Sequence, residues 1–240
     1  MTQGKRTLPW LDPQHVEFPH PSQAWREPNG LLAVGGALSP QWLLHAYHSG
    51  VFPWFDDDEG PILWWSPDPR AVIEPTAMRV RRSLRKRIRN GGFEVRSDTA
   101  FEQVVAACAA PRGGEEGTWI TAGMQAAFTA LHRLGHAHSI EVWQSQRLVG
   151  GLYGVAVGTV FCGESMFSRS ADASKVAFFA LCQQLSRWNY DLIDCQLPNE
   201  HLMSLGVRTM GRSEFLTFLN PLDAAPESAL WALDPDLLDL

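Results

Sequence analysis

The chain has 240 residues, 45% of them hydrophobic, and carries a formal net charge of −6. This composition provides enough apolar side chains for a folded core and excludes a disordered, low-complexity protein. No stretch approaches the roughly 20 consecutive apolar residues of a membrane-spanning helix, and the first ten residues do not resemble a signal peptide. We therefore expect a cytoplasmic protein with no membrane partner, whose four cysteines, which form no CxxC pair, are reduced core thiols.

Residues 1–65 differ in character from the rest of the chain. Turn signals stand at 27–30 and 35–36, and a helix is expected from about Pro40 to His48. A proline-rich stretch holds four tryptophans, Trp42, Trp54, Trp64 and Trp65. Large flat side chains beside prolines suit either the core of a small domain or the stacking of bases and acyl groups, and the sequence leaves both open. We predict a small N-terminal domain over residues 1–65.

From residue 66 onward, strand and helix signals alternate. An antiparallel meander is followed by a helix at 173–188 and a strand at 191–195. Acyl-CoA-dependent N-acetyltransferases show this order, so we predict an α+β fold with a mixed α/β sheet, in which residues 66–240 form a GNAT-like domain. The meander strands are expected at 139–143, 148–157 and 159–162. The other expected elements are strands at 71–74 and 93–96, a basic helix ended by Gly91 and Gly92, helices capped by Asp98 and Thr121, short helices at 200–205 and 214–219, and an irregular tail after Pro221.

One segment concentrates the positive charge of an otherwise acidic chain. Seven of the twenty Lys and Arg residues fall between Arg79 and Arg89. Val80, Leu84 and Ile88 are spaced by four, which places one apolar stripe on a helix and leaves the basic groups around it. Such a patch suits a polyanion such as nucleic-acid phosphates, but the same pattern also fits a solvated helix face.

Polar residues follow two apolar strands in the second half of the chain. Glu164 stands in the segment 163–168, directly after one predicted strand, and Asp194 and Gln196 end another. If the two strands are neighbours, these side chains converge at one edge of the sheet and form a pocket for a cation or an acid/base pair. Alternatively, Asp194 and Gln196 only cap the turn that follows.

Three other kinds of site are disfavoured. The GESMF segment at 163–167 lacks the second glycine of a serine-hydrolase nucleophile elbow. His132, His136 and His138 are close in sequence, but a helix end between them takes His138 off the face of the other two, so we expect no metal. The segment 169–175 stands where a coenzyme A pyrophosphate loop would be and contains no glycine, which argues against an acyl-CoA cofactor.

Two long and specific segments, WWSPDPR at 64–70 and FCGESMFS at 161–168, carry a family resemblance. Seven further segments accompany them in order, at 27–33, 50–55, 117–121, 136–141, 148–154, 173–175 and 192–196. Together, between about residues 18 and 219, they resemble the leucyl/phenylalanyl-tRNA–protein transferases. Ala37 departs from that family, which usually has Asp there, and we interpret this as a lost turn or cap contact.

The resemblance implies an enzyme that takes Leu or Phe, and Met more weakly, from aminoacyl-tRNA. It joins that residue to the α-amino group of an N-terminal Arg or Lys, which marks the acceptor protein for degradation. The implied partners are aminoacyl-tRNA and the acceptor protein, with no cofactor. An acyl-CoA N-acetyltransferase and a non-catalytic RNA-binding module stay open as alternatives. We expect a monomer, because no apolar stripe is left over for a partner.

The resemblance also implies residues for the reacting centre. It places Asp194 and Gln196 at the reacting amine. We interpret Gln196 as an acceptor that orients the amine and Asp194 as the group that stabilises its developing positive charge. Glu164 is our candidate for pairing with the cationic side chain of the acceptor's first residue.

The remaining candidates concern the tRNA and its amino acid. Trp54 and Trp119 match family tryptophans that hold the terminal adenosine, and Tyr47 is a weaker candidate for the same place. The candidates for the walls of an aminoacyl side-chain pocket are Leu152, Met166 and Leu181. The expected contacts with the tRNA backbone are Arg79, Arg81, Arg82, Arg85, Lys86 and Arg89.

Overall fold

The computed structural model describes residues 7–111, 118–219 and 231–239. Its first sheet consists of β1 (Trp10–Leu11), β2 (Leu31–Gly35), β3 (Phe52–Pro53) and β4 (Leu63–Trp65). These strands lie in the order β1-β2-β4-β3, with β1 parallel to β2 and the other pairs antiparallel. The sequence did not indicate this sheet, because its strands are two to five residues long and every residue of β2 is buried, so no polar alternation marks it.

The second sheet contains β5 (Arg70–Ile73), β6 (Glu94–Ser97), β7 (Ala137–Gln144), β8 (Arg147–Val157), β9 (Val160–Ser168), β10 (Leu192–Gln196) and β11 (Arg208–Met210). Its strands lie in the order β11-β5-β10-β9-β8-β7-β6. Neighbours are antiparallel except β9 and β10, which are parallel. The predicted mixed α/β fold is therefore confirmed, and β10 lies beside the last strand of the meander.

Helices cover both faces of this second sheet. They are α1 (Pro40–His48), α2 (Arg82–Asn90), α3 (Phe101–Ala109), α4 (Ala122–Arg133), α5 (Ala173–Arg187), α6 (Glu200–Leu205) and α7 (Arg212–Phe215). Helices α3 and α4 pack on one face of the meander and α5 packs on the other. None of the described helices combines the length and the apolarity that a membrane-spanning segment requires.

The first sheet ends at Trp65 and the second begins at Arg70, but the two share a hydrophobic core. One cluster of buried side chains joins Trp42 and Trp64 of the N-terminal region to Phe128 of α4 and to residues of the second sheet. The division into domains at 1–65 and 66–240 therefore stays a prediction.

Two predicted helix caps have different outcomes. Thr121 caps α4 as expected, because its hydroxyl accepts a hydrogen bond from a backbone N–H of the first turn at 3.2 Å. The prediction for Asp98 is wrong, since the N–H of Ala100 at the start of α3 donates to the buried carboxylate of Glu141 at 2.6 Å. Asp98 instead pairs with His138 at 2.7 Å. Both contacts join the segment between β6 and α3 to β7, about 40 residues later in the chain, so sequence spacing does not reveal them.

Strand β9 extends six residues beyond the predicted end at Cys162. The ladder with β8 continues through this extension, where Leu152 pairs with Met166. Glu164 and Met166 therefore lie on a strand rather than on a loop, which fixes the positions of their side chains.

Helix α2 confirms the predicted amphipathic pattern in the basic segment, by which we mean residues 79–89. Leu84 and Ile88 are buried and Val80 is half-buried, although the helix begins only at Arg82. The apolar stripe packs against α5, and the charged side chains of α2 face outward except that of Arg87.

The tail expected after Pro221 is described only in part. Residues 220–230 lie outside the described residues, as does Gly117. Residues 231–239 form no helix or strand, and Trp231 stacks on His138 with ring centroids 3.9 Å apart.

Candidate active site

A cavity of about 830 Å³ lies where the first sheet meets the second. Its wall contains residues of β3, β8, β9, β10 and α5, together with Trp119 and the residues that lead into α6. Strands β9 and β10 reach it side by side, because Cys162 is the cross-strand partner of Asp194. The two strands are therefore neighbours, as the prediction required, although Glu164 lies within β9 and not at its end.

The three residues predicted to form the aminoacyl pocket all line this cavity. Leu152 and Met166 face each other across the β8–β9 ladder, and Leu181 approaches from α5. Phe178 and Leu202 extend the apolar surface. A wall of this kind accommodates an aliphatic or an aromatic side chain, since the thioether of methionine adapts to either shape.

The two predicted tryptophans also line the cavity. Trp54 follows β3, has 38% of its surface exposed, and packs with its ring centroid 5.6 Å from that of Trp65. The backbone carbonyl of Trp54 accepts a hydrogen bond from the Trp65 indole at 2.8 Å, which fixes the chain at this point. Trp119 is half-buried and precedes α4. Partly exposed indole faces at a cavity suit stacking with a nucleobase.

Tyr47 does not line the cavity, so its interpretation as a residue that binds adenosine is wrong. It lies on the face of α1 that packs into the core, and only 1% of its surface is exposed. Burial and the neighbouring carboxylate of Glu164 raise the pKa of Tyr47 well above its usual value. Its place is therefore beneath Glu164.

Glu164 lines the cavity and is half-buried. Its Oε1 atom is buried and has no hydrogen-bond partner of normal geometry within the described parts of the chain. Burial raises the pKa of Glu164 to about 8, with a smaller increase from Asp194, while the nearby Tyr47 hydroxyl and Arg70 oppose the rise. Glu164 is therefore mostly protonated and uncharged at pH 7 in the free protein.

Gln196 lies at the cavity wall beside Glu164, in a strained conformation. A β-bulge between Asp194 and Gln196 turns the chain, and Gln196 has a φ of 54°, in the left-handed region. Such a conformation costs a non-glycine residue roughly 1–3 kcal/mol and is typical of functional sites. The Nε2 atom of Gln196 is buried and, among the described residues, has no hydrogen-bond partner. Glu164 and Gln196 therefore both line the cavity, and each has one buried polar atom without a partner among the described residues.

Asp194 lies behind this wall, so the interpretation that it contacts the reacting amine is wrong. It has no exposed surface, and both carboxylate oxygens bind the guanidinium of Arg70, at 2.8 and 2.7 Å. Its Oδ1 also accepts a hydrogen bond from the backbone N–H of Gln196 at 2.9 Å. This contact fits the alternative prediction, in which Asp194 caps the turn that follows its strand. Asp194 therefore holds the cavity wall in place from inside.

Arg70 is the important residue that the sequence did not indicate. Only 1% of its surface is exposed, and it donates to the carbonyl of Gly50 at 3.1 Å in addition to Asp194. Its guanidinium lies 4.9 Å from the ring centroid of Phe52 and 4.6 Å from that of Phe215. A signal was present, because an arginine that opens a buried apolar strand requires a buried partner.

The basic segment lies close to one side of the cavity. The backbone N–H of Arg79 donates to the carbonyl of Leu205 at 2.7 Å, which ties the segment to α6, whose first residues line the cavity. Arg87 faces the protein and binds Ala171 and Ser170. The side chains that face the surface are those predicted for the tRNA backbone, Arg79, Arg81, Arg82, Arg85, Lys86 and Arg89.

Two of the histidines weighed for a metal site lie together away from the cavity. Ligand atoms of Asp98, His132 and His138 lie within 4.8 Å of one another. Both ring nitrogens of His138 already bind oxygen atoms, at 2.7 Å in Asp98 and 3.1 Å in Gly135, and Nδ1 of His132 binds the carbonyl of Ala137 at 2.8 Å. These contacts connect α4, β7 and the start of α3, which is a structural role.

Two family models match most of the chain. The model of the family described as leucyl/phenylalanyl-tRNA protein transferase matches residues 72–220, and that of its N-terminal domain matches residues 36–68. Among solved structures, the chain is similar to a GCN5-related N-acetyltransferase from Kribbella flavida, with a TM-score of 0.39 and 11% identity over 70% of this chain and 59% of that one.

Relatives with the name leucyl/phenylalanyl-tRNA–protein transferase match almost the whole chain. The protein from Chromohalobacter salexigens is 56% identical over 95% of this chain and 89% of its own length. Those from Hahella chejuensis and Aeromonas hydrophila are 52% and 53% identical, over 95% and 93% of this chain and 97% and 95% of their own lengths. The chain therefore belongs to the leucyl/phenylalanyl-tRNA–protein transferase family.

Proposed function

We propose that the chain transfers Leu or Phe, and Met more weakly, from aminoacyl-tRNA to the α-amino group of proteins that begin with Arg or Lys, and so marks them for degradation. The observation that carries this proposal is one cavity that combines an apolar pocket with two buried polar atoms, Glu164 Oε1 and Gln196 Nε2, that lack partners within the described chain. The enzyme acts in the cytoplasm as a monomer, and it needs no cofactor because the donor ester is already activated.

The donor occupies the apolar part of the cavity. Its leucyl or phenylalanyl side chain contacts Leu152, Met166 and Leu181, which line the same wall. One methylene more or less changes binding in such a pocket by about 1–3 kcal/mol, so other apolar side chains are excluded only modestly. The terminal adenosine stacks on Trp54 and Trp119. Stacking on an aromatic side chain contributes about 1–3 kcal/mol of binding free energy per base.

The acceptor's first side chain pairs with Glu164. A guanidinium or ammonium group beside the carboxyl favours its ionised form, so the cation binds with release of a proton. The resulting charge-assisted hydrogen bond is stronger than a neutral one. An acceptor with an uncharged first side chain leaves the buried oxygen without a partner, which disfavours it.

The reaction needs a neutral amine and a well-placed ester. An α-amino group in water has a pKa of about 7.7–8.0, so on the order of a tenth of it is neutral at pH 7. The amine nitrogen attacks the ester carbonyl carbon, the bond from that carbon to the ribose oxygen breaks, and the proton lost by the amine reaches the ribose oxygen through water or the neighbouring 2′-hydroxyl. Holding amine and ester together contributes roughly 7–11 kcal/mol.

We assign Gln196 to the developing negative charge in this reaction. Its Nε2 donates to the carbonyl oxygen as the tetrahedral intermediate forms. The interpretation of Gln196 as an acceptor that orients the amine stays the alternative hypothesis. A neutral amide is too weakly basic to take the amine proton.

The basic segment binds the tRNA backbone outside the acceptor end. Contacts to phosphates position a nucleic acid without reading its sequence. Many tRNAs that carry the right amino acid are therefore donors. The segment lies on the side of the cavity to which α6 connects it, so it can hold the acceptor arm while the adenosine enters between the tryptophans.

Glu164→Gln tests the function and the cation pocket together. Wild-type enzyme should transfer labelled leucine from leucyl-tRNA to a peptide that begins with Arg and far less to matched peptides that begin with Gln or Asp. The variant should raise the KM for the Arg peptide by about 10–100-fold, the range for a lost charged hydrogen bond. Glu200→Gln is the matched control, since Glu200 lines the same cavity but is exposed.

The same assay has a pH signature. Below its pKa of about 8, Glu164 must lose a proton before it pairs with the cation, so the wild-type KM for the Arg peptide should fall as the pH rises from about 6 to 8. Dividing the KM for the Arg peptide by that for the Gln peptide at each pH removes the effect of α-amine ionisation, which both peptides share. An Arg preference that survives in Glu164→Gln, with the same pH dependence, contradicts the assignment.

Replacements of Gln196 separate a donor from an acceptor. If Nε2 stabilises the oxyanion, Gln196→Glu should lose about 100-fold or more in single-turnover rate and be no better than Gln196→Ala, because a carboxylate repels the oxyanion. If Gln196 acts as an acceptor or base, the glutamate variant should retain the rate. The measurement is single-turnover transfer at saturating leucyl-tRNA and Arg peptide.

Charge reversal tests the basic segment. Arg82→Glu combined with Arg85→Glu should weaken tRNA binding and flatten the slope of log Kd against log salt by roughly 1–2, since each duplex phosphate contact contributes about 0.9. Arg133→Glu combined with Arg147→Glu is a control with the same change in net charge, at exposed arginines on α4 and β8. If the salt slope is unchanged in the Arg82→Glu, Arg85→Glu variant, the basic segment does not contact tRNA and is a solvated helix face.

A further inference from the structure

We infer that Arg70 is a positioning residue for aminoacyl transfer, which joins the chain segment that carries Trp54 to the strand end that carries Gln196. The inference rests on the proposed function, because it concerns the distance between the bound adenosine and the amide at the reacting ester. Arg70 does not line the cavity and acts through its neighbours.

The guanidinium of Arg70 is held on every edge. Nε and Nη2 bind the two oxygens of Asp194 at 2.8 and 2.7 Å, and Nη1 binds the carbonyl of Gly50 at 3.1 Å. The rings of Phe52 and Phe215 lie on it at 4.9 and 4.6 Å. The planar arginine guanidinium holds its donors in fixed directions and so fixes the positions of its partners, whereas the flexible lysine ammonium does not.

On one side, this arrangement fixes Gln196. The Oδ1 atom of Asp194 accepts hydrogen bonds from both Arg70 Nε and the backbone N–H of Gln196. Gln196 is in the left-handed conformation at a bulge, so it needs a contact that holds it there. Without Arg70, the buried carboxylate of Asp194 has no counter-charge, and the anchor of Gln196 is lost.

On the other side, the arrangement fixes the start of the tryptophan platform. Gly50 and Phe52 precede Trp54 by a few residues, and Phe52 itself lines the cavity. One guanidinium therefore sets the spacing between the adenosine platform, on the first sheet, and the donor amide, on the second. An error of about 1 Å in such a spacing costs a reaction on the order of 100-fold.

Two variants separate positioning from stability. Arg70→Lys keeps the charge and removes the fork, whereas Arg70→Met combined with Asp194→Leu replaces the buried pair by apolar side chains, which is often neutral or stabilising. Arg208→Lys is the matched control. Arg208 lies on β11, the neighbour of β5 in the same sheet, and its Nε and Nη2 atoms bind Glu74 at an exposed position.

The measurements are the melting temperature, the Kd for leucyl-tRNA, the KM for an Arg peptide and the single-turnover rate. We expect both Arg70 variants to lose about 100-fold in rate, with the Kd and KM within about threefold of wild type and with the double variant melting near the wild-type temperature. The control should keep the wild-type rate.

A rate within threefold of wild type in the folded double variant overturns the inference. The inference is also overturned if the rate of both variants falls only in proportion to the folded fraction, because the ion pair would then have a structural role alone. Failure of the proposed function is distinct from either result, because the wild-type enzyme would then transfer no leucine to the Arg peptide.

Discussion

The candidate site depends on one buried ion pair, between Arg70 and Asp194. Neither residue has more than 1% of its surface exposed, so each charge requires a complete set of partners inside the protein. Two strands of the second sheet, the carbonyl of Gly50 and the backbone of Gln196 supply them. Because Asp194 is fully engaged behind the wall, Glu164 and Gln196 are the residues of the cavity wall that we assign to the reacting groups. The geometry of the cavity follows from this arrangement.

Glu164 and Gln196 have different chemistry, and we assign them different roles. Glu164 is an acid whose burial raises its pKa to about 8, so a cation bound beside it favours its charged form. Gln196 lines the same cavity, and in the proposed reaction its amide group would stabilise the developing oxyanion. The donor ester is activated before it reaches the enzyme. Alignment of two substrates beside these groups is therefore the main task left to the protein.

Much of this could be predicted from the sequence, and the exceptions share a cause. Helix α1, the Thr121 cap, the meander and the juxtaposition of Glu164 with Gln196 follow from local signals and strand order. Arg70 and Asp194 are 124 residues apart, and the Ala100–Glu141 contact joins the start of α3 to β7 over 41 residues, so no local pattern indicates either. Tyr47 was proposed from the family resemblance, and the sequence alone does not show that α1 packs this residue into the core. The strands of the first sheet are too short to show a period.

The most direct test of the account is a crystal structure with leucyl-adenosine linked by an amide in place of the ester, together with an Arg dipeptide. The account predicts the adenine ring on Trp54 and Trp119, and the leucyl side chain against Leu152 and Met166. It also predicts the carbonyl oxygen within hydrogen-bonding distance of Gln196 Nε2, and the guanidinium at Glu164. Adenosine bound elsewhere, or a leucyl carbonyl directed away from Gln196 with the dipeptide outside the cavity, would contradict it.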